Sequence, residues 1–242
     1  MQSIIFDYGG TLDSRGNHWG KVIWRAYQQL AIPVDEAAYR DAYVYAERTL
    51  GRNPIIRPSY TFKLTLDVKL RLQLQYLIAN NHWHTDAKSL KQLHKSLLYT
   101  LYDETRQIVA ESRDVLKQLS VQYPLALVSN FYGNIHTVLR EMHLDQLFPV
   151  VVESAVVGCR KPDPAIFQLA IDRMGVKDPA ECLVVGDSMS KDIIPAKSLG
   201  CPTVWLRGEG WTDDPVDESI PSAVIDKLEE LLNCPLLSVS SP

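Results

Sequence analysis

Five short stretches of the chain are almost wholly apolar and end on, or run directly into, a polar residue: SIIFD at 3–7, LALVSN at 125–130, VVVES at 150–154, LVVGD at 183–187 and PTVWL at 202–206. A strand with one wet face alternates apolar and polar residues, whereas a strand covered on both faces does not. These runs therefore predict a parallel sheet with helices on both sides. Helical patterns lie between them. In DPAIFQLAIDRMG, Asp163 suits the N-cap and Pro164 the first helical position, while Phe167, Ala170, Ile171 and Met174 form one stripe that Gly175 closes. Gly200 terminates the helical segment IIPAKSLG, and Asp226 with Glu229 has capping-box spacing ahead of LEELL, which predicts a helix there.

From about residue 14 to residue 106 the strand pattern vanishes. Leu, Gln, Lys, Tyr and Arg take over with helical spacing, as in Leu90, Leu93, Leu97 and Leu101, which predicts a helical unit inserted after the first strand. One piece argues back: LTLDVKLRLQLQY alternates from Leu64 to Tyr76, and by period alone it reads as a strand. It holds one Val and one Thr among strong helix formers, however, and Leu66, Leu70, Leu74 and Leu77 also make a helical stripe, so a helix is expected. The proline-bearing GRNPIIRPSY at 51–60 is expected to be a loop.

Composition narrows the class of function. At 242 residues the chain suffices for one large α/β domain, or a core plus a smaller insertion, and 46% apolar with 22% charged residues is ordinary for a folded protein. A net charge of −4 with interspersed lysines and arginines indicates no basic face for nucleic acid or anionic lipid, so a small soluble partner is expected. Cys159, Cys182, Cys201 and Cys234 are widely spaced without a CxxC pair, the pattern of reduced core thiols. No stretch approaches the ~18 apolar residues of a membrane helix, and the start of the chain has neither a basic nor a long apolar run; a cytoplasmic protein is expected.

Ligands of open parallel sheets collect at the carboxyl ends of the strands. Four strand ends here carry polar residues that suit one reaction. Asp7 stands before a glycine turn in which Gly9, Gly10 and Thr11 offer backbone groups to an anion. Ser129 and Asn130 can donate hydrogen bonds to an oxyanion, Lys161 adds a positive charge, and Asp187 with Asp192 supplies hard oxygens of the kind Mg²⁺ takes. Each residue alone is an ordinary turn or surface residue; the ordered set is what carries weight.

That set resembles the haloacid dehalogenase superfamily, whose members are mostly Mg²⁺-dependent phosphatases. DYGGTLD matches its first motif in part, LVSN the second, CRKPDPAIF the third and GDSMSKDIIPAKSLG the fourth. The resemblance implies a Rossmann-like doubly wound core of residues 1–13 and 107–242, with an α-helical cap domain at 14–106. It also implies roles: Asp7 as the nucleophile that forms an aspartyl-phosphate, Lys161 as the charge linking nucleophile and phosphate, and Gly10, Thr11, Ser129 and Asn130 as substrate ligands. Asp7, the Gly9 carbonyl and Asp187 would hold Mg²⁺, with Asp192 in support, and the substrate would be a small phosphorylated metabolite.

One departure matters. The phosphatases of this family carry a second Asp two residues after the nucleophile, which protonates the leaving group; here that residue is Gly9. The departure predicts slow hydrolysis, confined to esters with good leaving groups, unless Asp13 or His18 substitutes. Other readings stay open. Dehalogenases lack that acid too, but the acidic pair Asp187 and Asp192 argues against carbon–halogen cleavage. Phosphonoacetaldehyde hydrolase uses a cap lysine as a Schiff base, and the early cap here has no lysine between Lys21 and Lys63. A non-catalytic relic that binds phosphate or a partner is a third reading. Trp19, Trp24, Tyr27, Tyr43, Tyr45 and Arg48 could line a cap pocket, though their spacing fits helix packing better, and Trp205 and Trp211 are likewise expected to pack.

Overall fold

In the computed structural model, which describes residues 1–237, the five apolar runs become strands β1 (Ser3–Phe6), β2 (Leu125–Ser129), β3 (Val150–Glu153), β4 (Cys182–Gly186) and β5 (Thr203–Leu206). A short edge strand, β6 (Ala223–Ile225), joins them. Every pairing is parallel, in the order β3-β2-β1-β4-β5-β6. The apolar runs are continuous because alternate residues enter two different cores. Ile4, Phe6, Leu125, Leu127, Leu183 and Val185 pack on one side of the sheet, while Ile5, Ala126, Val128 and Val184 pack on the other against Ile166, Phe167 and Ala170.

Four helices stand between β1 and β2: α1 (Trp19–Gln29), α2 (Glu36–Arg52), α3 (Phe62–Ala79) and α4 (Ala87–Leu119). His18, Asp35, Thr61 and Asp86 cap them in turn, each side chain accepting from backbone N–H groups of the first turn. The alternating segment is helical, with Leu66, Leu70, Leu74 and Leu77 all buried. The expected loop runs from Asn53 to Thr61, since α2 extends through Gly51 and Arg52. Helix α4 passes residue 106 without a break and carries the chain back to β2.

The remaining helices are α5 (Ile135–Glu141), α6 (Ser154–Val157), α7 (Ala165–Met174) and α8 (Ile194–Ser198). Asp163 accepts from the Ala165 N–H at the start of α7, and Gly175 ends it in the left-handed conformation. The helix expected after Asp226 does not form. Asp226 instead binds the Arg207 guanidinium at 2.8 and 3.1 Å, which removes the cap, and Leu228–Asn233 and Pro235–Leu237 wind only as 3₁₀ turns.

No helix among the described residues is long and apolar enough to cross a membrane, and all four cysteines are free. The strand order reverses between β1 and β4, so the crevice beyond their carboxyl ends is where an open parallel sheet places a ligand.

Candidate active site

Asp7 follows β1 and Asp187 follows β4, and these strands are neighbours, so their carboxylates meet at that crevice. The Asp7 N–H donates to the Val185 carbonyl at 3.0 Å, extending the ladder by one residue and setting the direction of the side chain. Asp192 arrives from the π-helical turn Met189–Ile193, just past β4. Lys161 comes from the loop before α7 and places Nζ 2.6 Å from both Asp7 Oδ1 and Asp192 Oδ1. The Ser188 N–H holds the other Asp192 oxygen at 3.0 Å. Asp7, Asp187 and Asp192 bring carboxylate oxygens within 4.8 Å of one another, with one lysine among them.

Charge is the defining property of this cluster. Counted as ionised, the three carboxylates, Asp7 and Asp192 buried and Asp187 partly so, exceed the one ammonium by two negative charges, and burial makes such an excess costly. Burial first, then Asp192, pushes the Asp7 carboxyl up to about 6 against the pull of Lys161. Asp187 is held well above the usual carboxylate range by burial and by both neighbouring acids. Lys161 moves the other way from a buried lysine: burial would lower it, yet Asp192 and Asp7 hold it above its ordinary value. A hard, all-oxygen donor set with a surplus of two negative charges fits a divalent cation such as Mg²⁺. Asp7, Asp187 and the supporting Asp192 are the side chains that could hold it.

The loop after Asp7 works mainly by positioning. Thr11 Oγ1 donates to Asp187 Oδ1 at 2.8 Å, and the Gly10 N–H, one of the backbone groups that the sequence offers to an anion, already donates to Asp13 Oδ1 at 2.7 Å. Neither Gly10 nor Thr11 lines the cleft. Gly10 sits at φ +106°, and a Cβ there would run into both Asp187 carboxylate oxygens, so this close approach requires glycine. Gly9 differs: it lines the cleft, and a Cβ would meet nothing within 4 Å. Asp13 bridges the Gly10 N–H and the Trp19 indole N–H at 3.0 Å, tying this loop to α1; its burial raises its pKa to about 7. Trp205 donates from Nε1 to the Asp187 carbonyl at 2.7 Å, a positioning contact that its apolar surroundings do not announce.

Ser129 ends β2, lines the cleft, and its hydroxyl makes no hydrogen bond among the described residues. The Asn130 side chain lines the cleft as well, but its amide is spent on the Lys161 backbone, donating to the carbonyl and accepting from the N–H, both at 3.0 Å. It aligns the lysine loop rather than reaching for a ligand. Glu153, which the sequence reading passed over, accepts from the Gly133 and Ile135 N–H groups and so anchors the loop that follows Asn130.

The cluster opens into a cleft of about 1040 Å³ whose far wall is built by α1, α2 and α3. Of the residues that, by sequence, could line a cap pocket, Trp19 and Tyr43 line it, whereas Trp24, Tyr27, Tyr45 and Arg48 do not. Trp205 and Trp211 line it too, and Trp211 packs against His18 and Tyr43 with the Arg40 guanidinium over its ring. His18 Nδ1 accepts the Gly20 N–H, so the proton sits on Nε2; burial lowers its pKa to about 4 and keeps the ring neutral. Glu47, Lys69 and Tyr132 also face the cleft and were not foreseen. The one sequence signal for them is Lys69 itself, a charge set on the buried stripe of α3 between Leu66 and Leu70. It lies in the later cap, past Lys63 and beyond the lysine-free stretch from Lys21 to Lys63. Its ammonium is paired with Glu47 at 2.7 Å and held above its ordinary pKa by that partner and Tyr43 against the effect of burial, which suits an ion pair and not a nucleophilic amine.

Comparison with known proteins agrees with this geometry. A family model described as haloacid dehalogenase-like hydrolase matches residues 1–200. The chain is 27% identical over 240 residues to phosphoglycolate phosphatase of Aliivibrio fischeri, spanning 96% of this chain and 95% of that protein. It is 39% identical over 97 residues to glyceraldehyde 3-phosphate phosphatase of Methanopyrus kandleri, spanning 39% and 41%. Among solved structures it is similar to the HAD-hydrolase YfnB from Bacillus subtilis bound to magnesium, at 20% identity, 96% and 97% coverage and a TM-score of 0.58. It is similar also to 2-haloacid dehalogenase from Pseudomonas syringae, at 22% identity, the same coverage and a TM-score of 0.51. At these identities the structural likenesses speak for the fold alone. With a family match over most of its length and the parallel sheet that the family shares, the chain belongs to the haloacid dehalogenase-like hydrolases.

Proposed function

We propose that this hydrolase is a Mg²⁺-dependent phosphatase acting on a small phosphorylated metabolite through an aspartyl-phosphate on Asp7. The observation that carries the reading is the formal surplus of two negative charges in the cluster of three carboxylates and one lysine, which burial and mutual repulsion resist until a cation joins it. Carbon–halogen cleavage has no use for that surplus, whereas phosphoryl transfer does. A bound divalent cation would neutralise the cluster and polarise the phosphoryl oxygens. The relatives named as phosphatases support the reaction class.

The chain's own residues supply the rest. Asp7 is the nucleophile: one carboxylate oxygen attacks phosphorus while the ester P–O bond breaks and the leaving oxygen departs. Lys161 orients the other Asp7 oxygen and offsets repulsion from the incoming phosphate. Ser129 offers its free hydroxyl to a phosphoryl oxygen. Water then attacks the phosphorus of the acyl phosphate, releases inorganic phosphate and restores the carboxylate. No side chain at Gly9 protonates the leaving oxygen, so the leaving group must be stable as an anion or take its proton from water. His18, neutral at working pH, is a weak acid, and Asp13 is already tied to two N–H donors. Turnover is therefore slow on alkyl phosphates and faster on aryl phosphates.

Residues 14–106, with α1 to α3 and the first part of α4, form the cap in this reading and 1–13 with 107–242 the catalytic core. The free thiols fit a reducing, cytoplasmic setting. Incubation with p-nitrophenyl phosphate tests the proposal. Mg²⁺ should sustain release of p-nitrophenol, EDTA should abolish it, and mass spectrometry should place a phosphoryl group on Asp7. Hydrolysis that survives Asp7→Asn, or no hydrolysis and no phosphoryl adduct with Mg²⁺ present, would overturn it and favour a non-catalytic binding protein.

A further inference from the structure

We propose that Glu47, Lys69 and Tyr132 form the leaving-group subsite and select an uncharged polyhydroxy leaving group over one that carries a second anion; the proposal rests on the phosphatase reading above. These residues come from three separate elements, α2, α3 and the loop after β2, yet they meet on the wall of the cleft that holds Asp7, Lys161 and Asp187. Lys69 Nζ lies 2.7 Å from Glu47 Oε1, and the Tyr132 hydroxyl donates to Glu47 Oε2 at 2.8 Å. Lys69 Nζ also stands 5.4 Å from the centre of the Tyr132 ring.

Both members of the pair are ionised. Burial alone would raise the Glu47 carboxyl, but Lys69 beside it holds it below the usual range, and Glu47 does the converse for Lys69. An ion pair on the buried face of α3, in one row with Thr65 and Gln73 and beside Leu66, Leu70 and Leu74, is a poor way to stabilise a fold, since apolar side chains would serve as well. It retains hydrogen-bonding capacity, however. A lysine has three donors, and although Glu47 Oε1 is closed off against Lys69, the Glu47 side chain is 32% exposed and Oε2, which accepts the Tyr132 hydroxyl, keeps a second lone pair.

The charge balance of this wall determines what it accepts. Glu47 and Lys69 cancel, and His18 across the same wall is neutral with its proton on Nε2; Lys191, the cation that acts on His18, lines the cleft from the π-helical turn on the opposite, core side. A hydroxyl can donate to Glu47 and accept from Lys69 or His18 in the same position, so adjacent hydroxyls satisfy the pair without disrupting it. A carboxylate drawn to Lys69 must also approach Glu47, whose oxygen stands 2.7 Å from that ammonium, and repulsion offsets the gain. Glu47 thus masks the one cap lysine on this wall that could hold a second anion.

Calorimetric titration of the Mg²⁺-loaded full chain with glycerol 3-phosphate and with 2-phosphoglycolate tests the proposal without relying on turnover. Wild type should bind glycerol 3-phosphate more tightly by roughly tenfold or more. Glu47→Gln unmasks Lys69 and should shift the ratio toward phosphoglycolate by a similar factor, while Lys69→Met should shift it further toward the polyol. A wild type that binds phosphoglycolate equally or better, or that binds neither, overturns the proposal whether or not the variants fold; so does an unchanged ratio in a folded Glu47→Gln. Hydrolysis of p-nitrophenyl phosphate, run alongside, separates the two claims. The expected ratio without hydrolysis defeats the phosphatase reading alone, and hydrolysis with the opposite ratio defeats the subsite alone.

Discussion

Replacing Gly9 by Asp should turn a slow aryl phosphatase into one that also processes alkyl phosphates. The substitution costs little in packing: a Cβ at Gly9 meets nothing within 4 Å, the backbone lies outside the left-handed region, and the side chain would project into a cleft of about 1040 Å³. Its electrostatic effect works in favour of the chemistry. A fourth carboxylate beside three others and a single lysine is pushed toward its protonated form, which is the form a general acid needs. Such an acid is worth ~10²–10⁴-fold, or about 3–5 kcal/mol of barrier, when the leaving oxygen is a poor anion. An aryl oxide leaves readily without help, so its gain should stay below roughly tenfold. The assay compares kcat/KM for glycerol 3-phosphate and p-nitrophenyl phosphate at saturating Mg²⁺, for wild type, Gly9→Asp and Gly9→Asn. The Asn variant matches the shape of the new side chain but cannot act as the acid, and it should gain nothing. An alkyl rate that fails to rise in the Asp variant, or that rises equally for both esters or equally in the Asn variant, would refute the idea that proton delivery is the missing element.

Other outcomes follow from the same geometry. Gly10→Ala forces a Cβ into the Asp187 carboxylate at φ +106°, so it should cost ~1–3 kcal/mol in urea unfolding and weaken Mg²⁺ binding by calorimetry. Lys161→Met leaves the buried carboxylates of Asp7 and Asp192 without their cation; it should destabilise the metal-free protein by ~3–5 kcal/mol and increase the rise in Tm that Mg²⁺ produces. Stability near His18 should depend on pH: its pKa falls from 6.5 to about 4 through burial, with Lys191 adding to the shift. Between those values the unfolded chain binds a proton that the folded one refuses, so stability is lost as pH falls, by at most about 3 kcal/mol. Asp13, raised to about 7 by burial, has the opposite slope, its contribution being lost as pH rises through that value. The difference between wild type and His18→Asn, whose Asn can still cap α1, isolates the histidine; identical unfolding profiles from pH 4 to 6.5 would exclude it.

What could be read from the sequence, and what could not, divides along physical lines. The strands were legible because burial on both faces leaves an unbroken apolar run, as in Ile4, Ile5 and Phe6. Strand β6 was not, since three residues at the sheet edge carry too little pattern. Helix α3 looked like a strand because Leu64 is exposed and Leu72 half-buried, so apolar residues fall on its outer face as well; helix-forming composition was the better guide. The C-terminal capping box misled because Arg207, far away in sequence, takes the Asp226 carboxylate.

The same division runs through the candidate site. Asp7, Asp187 and Asp192 could be found because each sits at or just after a strand end, and strand order alone makes β1 and β4 neighbours. Side-chain direction has no such signature. The sequence offers Gly10 and Asn130 to a ligand, yet the Gly10 N–H turns to Asp13 and the Asn130 amide to the Lys161 backbone, while the Thr11 hydroxyl goes to Asp187. Glu47, Lys69 and Tyr132 come from three elements and share no motif, so no spacing in the sequence groups them. One rule would have pointed there: a charge on the buried stripe of a helix must have a partner, because an unpaired one costs several kcal/mol. Lys69 breaks the stripe of α3 in the sequence itself, and a search for its counter-charge among the acids of the neighbouring helix would have led to Glu47 and, through it, to the wall of the cleft that faces Asp7.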